Sequence, residues 1–149
     1  MSDNPLTEIL TRFADVAAIA GVRGKIEEDG TLFVSGFELQ EGRSQMVFAR
    51  ALPEAVKGKD AVCIYSPCRR VKKGFMRGLS KDDGIELLKL NSELLMARYG
   101  IIESDDEFLV MASVDVILDT LDAEEVEASF WFVAIAADEY EKKFGGDEF

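Results

Sequence analysis

The chain has 149 residues, 48% of them hydrophobic and 9% aromatic, and a formal net charge of −12 at pH 7. That size and composition suit one folded domain with its own core and exclude a disordered chain. The charge is lopsided: residues 1–98 carry 15 basic and 14 acidic side chains, whereas residues 99–149 carry 15 acidic ones against only Lys142 and Lys143. Such a half repels phosphate backbones and excludes nucleic acid as an expected partner, while leaving a solvated acidic surface or a face for a basic partner.

Asn4-Pro5 reads as an N-cap followed by proline at the first helical position. Leu6, Ile9, Leu10, Phe13, Val16 and Ala20 follow at helical spacing, and Gly21 is placed to end the helix. The period then changes. Val22–Glu27 is a candidate short strand turning through Glu28-Asp29-Gly30. Thr31–Leu39, Gln45–Leu52 and Ala61–Ser66 read as strands of an antiparallel meander, with Pro53–Asp60 a connection before the last. In the first of these, Phe33, Phe37 and Leu39 lie on one side, and Leu32 and Val34 on the other.

Pro67–Gly78 breaks the pattern and holds a basic run of Arg69, Arg70, Lys72, Lys73 and Arg77. Ser80, with Asp83 three residues on, then predicts a capping box opening a second helix. This helix continues through Ile85, Leu87, Leu88, Leu94 and Leu95 and closes at Gly100. Ile101-Ile102 and Phe108–Val116 predict a hairpin around Ser104-Asp105-Asp106, and Phe108, Val110, Ala112, Val114 and Val116 alternate so that one face is dry. Asp122 is the expected N-cap of a last helix, with Glu125 at its third position and Leu121 placed to staple onto Val126. That helix runs through Phe130, Val133, Ala137, Tyr140 and Phe144 to Gly145-Gly146. Trp131, Phe132 and Ile135 fall outside its stripe, so either both sides are buried or one side meets a second chain.

The order α-β-β-β(-β)-α-β-β-α predicts an α+β fold, three helices packed with an antiparallel sheet. Residues 1–149 read as one domain, with 146–149 as a flexible tail. No apolar stretch approaches the ~18 residues of a transmembrane helix, and Met1-Ser2-Asp3-Asn4-Pro5 lacks the basic and apolar regions of a signal peptide. The expected compartment is the cytoplasm, with no membrane partner. Cys63 and Cys68 fit that setting as free thiols, although their spacing allows a disulfide.

The sequence contains no histidine, which removes the commonest general base and zinc ligand. It has no phosphate-binding glycine loop and no nucleophile elbow. Asp105, Asp106 and Glu107 could hold magnesium, but adjacent carboxylates in a turn are usually solvated. Cys63 could be activated by the basic run; in an apolar strand it reads instead as an inert buried thiol. The expectation is no enzyme, no metal and no cofactor. The basic run either offers Arg forks to a phosphate or acidic segment, or offsets the acidic half internally.

Leu90-Asn91-Ser92 is followed by Tyr99-Gly100-Ile101-Ile102, a hairpin and alternating strand, then Leu121-Asp122-Ala123-Glu124-Glu125 and Ala136-Ala137-Asp138. This succession resembles the YbjN-type family of bacterial sensory transduction regulators, which shares its fold with type III secretion chaperones of the Tir-chaperone class. The resemblance covers nearly the whole chain as an order of elements; the strand at Val22–Glu27 and the basic run depart from it. It implies a noncatalytic, chaperone-like homodimer that holds a segment of another protein, a secreted client or a signalling protein, on apolar patches or a sheet edge. Carried over by position, Phe13, Leu32 and Val34 become partner-binding candidates, joined by Arg69, Arg70, Lys72 and Lys73 of the basic run. Leu94, Phe130 and Trp131 become dimer candidates. The alternatives are a signalling adaptor contacting a response regulator or kinase, and a small-ligand binder or histidine-free enzyme.

Overall fold

Asn4 caps the first helix, its Oδ1 accepting the Leu6 N–H at 3.0 Å. In the computed structural model, which describes residues 4–74, 78–144 and 149, this helix is α1 (Pro5–Ile19). It is followed by β1 (Lys25–Ile26), β2 (Phe33–Glu38), β3 (Ser44–Val56) and β4 (Lys59–Lys72). Then come α2 (Lys81–Asn91), β5 (Arg98–Glu103), β6 (Glu107–Ile117) and α3 (Ala123–Lys143). The chain is therefore an α+β fold of order α-β-β-β-β-α-β-β-α, with a six-stranded antiparallel sheet ordered β1-β2-β3-β4-β6-β5. Among the described residues no helix is long and apolar enough to cross a membrane.

Helices α1 and α3 pack against the middle strands and against each other. Their contact is built on aromatic rings: Phe13 meets Phe33 edge-on at 5.4 Å and Phe130 in a stack at 6.2 Å. Val47, Val62, Ile64, Val110 and Ala112 supply the sheet side of this core, all fully buried. By strand alternation the neighbouring residues face the other way, and there Phe48 stacks on Tyr65 at 5.4 Å. The α3 entry is as expected, with Asp122 Oδ1 accepting the Glu125 N–H at 2.8 Å.

Three elements differ from the sequence expectation, each for a local reason. The Pro53–Asp60 connection is instead a hairpin, because Lys57 and Gly58 both take positive φ (50° and 77°), the geometry that suits a two-residue turn. Pro53 is tolerated because the β3–β4 ladder skips between Leu52 and Val56. The Glu54 N–H donates instead to Asp60 Oδ1 at 3.0 Å.

The basic run is not a loop. β4 continues through Arg69, Arg70 and Lys72, and a register shift against β6 between Pro67 and Arg69 absorbs the proline. Helix α2 stops at Asn91 rather than running through Leu94 and Leu95, and Gly100 lies inside β5. The short strand foreseen at Val22–Glu27 is present as β1, which is confined to Lys25–Ile26. Arg77, the Gly145-Gly146 stop, the Met1–Asp3 start and residues 146–148 of the expected tail lie outside the described residues. Phe149 is described and is held: its carbonyl accepts the Met46 N–H at 3.0 Å and its N–H donates to Glu141 Oε2 at 3.1 Å.

Candidate docking surfaces

β5 lies at one end of the sheet and among the described residues pairs only with β6, so its outer edge is open there. Apolar surface collects there. Of the ten large apolar side chains left exposed among the described residues, six belong to α2, β5 or the turn joining them: Ile85, Leu88, Leu95, Met96, Ile101 and Ile102. Leu88 is 72% exposed, and the adjacent Ile101 and Ile102 are 45% and 47% exposed on opposite faces of one strand. The cause is the shortness of α2, which sends only Leu87 fully into the core. Burying a leucine, isoleucine or methionine side chain is worth ~1.5–3 kcal/mol, so each of the six favours cover over its part of this end of the sheet.

The residues singled out from sequence divide between core and surface. Phe13 and Phe130 are fully buried at the centre of the aromatic cluster, where no partner can reach them in this fold. Leu32 and Val34 are half-buried, Val34 within β2 and Leu32 just before it. Leu94 is half-buried against the core beside the exposed Leu95 and Met96. Trp131 is 37% exposed on α3. The structure does not bring these residues into one patch. The sequence reading missed the cluster at β5 because it assigned Leu95 to the helix stripe and treated Ile101-Ile102 as an ordinary strand. Two adjacent β-branched residues on both faces of an end strand were the available signal.

The basic run is paired within the chain. Arg69 Nη1 lies 3.3 Å from Asp83 Oδ1, and its guanidinium covers the Phe144 ring at 3.8 Å. Arg70 Nε lies 3.2 Å from Glu107 Oε1, and Lys73 Nζ lies 3.4 Å from Glu103 Oε2. Lys72 is exposed on β4. Three of the four cations thus face carboxylates of α2, β5 and β6, which supports internal offsetting over a free phosphate cradle.

A second polar feature lies where β3 and β4 separate. Their main-chain ladder ends at Phe48–Tyr65. Beyond it, Ser66 Oγ donates to the Met46 carbonyl at 2.6 Å and Gln45 Nε2 donates to the Pro67 carbonyl at 2.9 Å. Arg43 reaches across to α3, with Nη2 2.6 Å from Asp138 Oδ1. Asp138 and Glu141 are both buried, one turn apart on α3. Arg43 and Lys142, the latter at 3.3 Å, offset the buried Asp138 charge.

Burial pushes the Cys63 thiol up to about 11 and the Cys68 thiol up to about 12, with Asp115 adding to the first and Glu141 to the second. Both are free, buried and protonated at neutral pH. Among the described residues no group of three or more His, Cys, Asp or Glu side chains is arranged to hold a metal ion. A scan against protein-family models and a search among curated proteins each found no match for the chain.

Proposed function

We propose that the protein is a noncatalytic protein-binding module of the secretion-chaperone-like type that works as a homodimer. The observation that carries this reading is the gathering of six exposed apolar side chains at the open edge formed by β5 and α2. An unpaired strand edge flanked by apolar side chains is the surface on which a second strand adds by main-chain hydrogen bonds.

A second copy fits that edge. A two-fold axis through Ile101 sets each Ile101 opposite its equivalent and each Ile102 opposite Gly100 of the other chain, keeping facing side chains on one side of the sheet. A Cβ at Gly100 would meet nothing within 4 Å, so there is room above it for the isoleucine. Leu88 and Ile85 of the two α2 helices then cover each other above the joined strands. With this edge occupied by a second copy, a partner segment is held elsewhere on the domain. The internal pairing of Arg69, Arg70 and Lys73 weighs against an adaptor that would present these cations to a signalling protein.

Hydrogen–deuterium exchange tests this pairing. The outward-facing amides of β5 should be slow at high protein concentration and become fast on dilution, while the amides of β4 stay slow throughout. Fast exchange of the outward β5 amides at every concentration would count against the pairing.

A further inference from the structure

The surplus apolar residues of α3 have a place in the fold. Phe37, Ala128, Trp131 and Phe132 line a depression of about 430 Å³ whose rim carries Glu124 and Glu127. Leu39, Trp131 and Ile135 line a second, of about 240 Å³, rimmed by Glu41 and Glu139. Trp131 is common to both, so the two adjoin as one groove along α3 and the turn that joins β2 to β3, apolar in its first part and mixed in its second, where Gln40, Asp138 and Lys142 also line it. Among the described residues none of the four rim carboxylates has a salt-bridge partner. The lysine beside them, Lys142, is held 3.3 Å from Asp138.

We infer that this groove is the client site of the binding module, and that its occupant is an amphipathic segment rich in arginine or lysine. An apolar floor takes apolar side chains, and four unpaired carboxylates around it favour cations along the edge of the same segment. The half-exposed indole offers an arginine or lysine of that segment a cation–π seat, worth ~0.5–2 kcal/mol depending on how far it is desolvated. An acidic segment would have to bring like charge against the rim and is disfavoured. This deepens the binding-module reading, and the two fail separately: the β5 pairing is read by exchange and mass, the groove by the environment of Trp131.

Trp131 is the only tryptophan of the chain, so its fluorescence reports occupancy of the groove directly. The probe is a synthetic peptide of alternating leucine and arginine pairs, titrated into the full-length chain. A peptide with glutamate replacing arginine and one with glycine replacing leucine serve as comparisons. The leucine–arginine peptide should shift Trp131 emission to the blue, lose affinity as salt is raised, and bind more tightly than either comparison. Glu127→Gln/Glu139→Gln should weaken it about fivefold to thirtyfold, as expected for two rim charges worth ~0.5–1 kcal/mol each. Asp105→Asn/Asp106→Asn changes net charge equally but lies in the β5–β6 turn, and should leave affinity within about twofold. Absence of an emission shift, binding indifferent to salt, or equal weakening by the two double variants would overturn the assignment.

Discussion

Asn91 and Tyr99 are joined by a reciprocal amide pair: the Tyr99 N–H donates to Asn91 Oδ1 at 2.7 Å, and Asn91 Nδ2 donates to the Tyr99 carbonyl at 3.1 Å. One side chain thereby ends α2 and sets the start of β5, while the Tyr99 hydroxyl donates to the Ala136 carbonyl on α3 at 2.6 Å. The apolar edge formed by α2 and β5 depends on this clasp. Asn91→Ala should cost about 1–3 kcal/mol, the penalty of leaving two main-chain groups unsatisfied. It should speed amide exchange in β5 before that in β4. A change spread evenly over the sheet would mean that the pair is a minor part of a larger cooperative unit.

The Arg43–Asp138 pair ties the start of β3 to α3. Arg43→Ala leaves a buried carboxylate with Lys142 alone for company, and should lower stability by about 3 kcal/mol. Urea denaturation would show this as a lower midpoint with an unchanged slope. Arg43→Lys should recover only part of the loss, because an ammonium cannot reproduce the guanidinium geometry.

Asp83 gives the fold a pH dependence of known sign. The Ser80 backbone N–H, with the Arg69 guanidinium nearby, holds the Asp83 carboxyl below the ordinary carboxylate range. A group whose folded value is depressed contributes stability that is present above its unfolded value and lost as pH falls through the folded one. The wild-type urea midpoint should therefore fall between pH 6 and pH 3, and Asp83→Asn should fall less. An equal fall in both would remove Asp83 as a contributor.

The thiols should be silent in the folded protein. With Cys63 at about 11, only about one thiol in a thousand is ionised at pH 8, and Cys68 at about 12 is lower still. A thiol-specific chromogenic reagent should label both cysteines rapidly in urea and neither over the same period in native buffer. Rapid native labelling of Cys63 would show that its strand opens readily.

Much of this architecture is legible in the sequence where one local rule dominates. Asn4, Ser80 and Asp122 each sit before a helix and each caps it. The alternation of β6 is met in part: Val110 and Ala112 are fully buried, while Phe108, Val114 and Val116 of the same face are half-buried. Legibility fails where tertiary structure overrides a local signal. Pro67 marks a break in most strands but is carried here by a bulge. Gly100, a plausible helix stop, lies in a strand because Asn91 has already closed the helix. Phe13 and Phe130 show the limit for sites, since residues suited to a patch are equally suited to a core, and only packing decides between them. Phe130→Ala should accordingly cost about 3–5 kcal/mol by cavity formation, without bearing on assembly beyond that loss. The Trp131 groove joins residues from β2, its following turn and α3, a juxtaposition that chain order alone does not display.

The most direct test of the central claim is the solution mass of the protein and of its Ile102→Lys variant, by size-exclusion chromatography with light scattering. A lysine at the open edge blocks strand addition and leaves the core untouched. The wild type should have twice the 16.5 kDa chain mass and the variant a single chain mass, with both equally folded by circular dichroism. A wild type of 16.5 kDa at every concentration, or a dimer that survives Ile102→Lys unchanged, would contradict the assignment of the β5 edge as the surface that joins two chains.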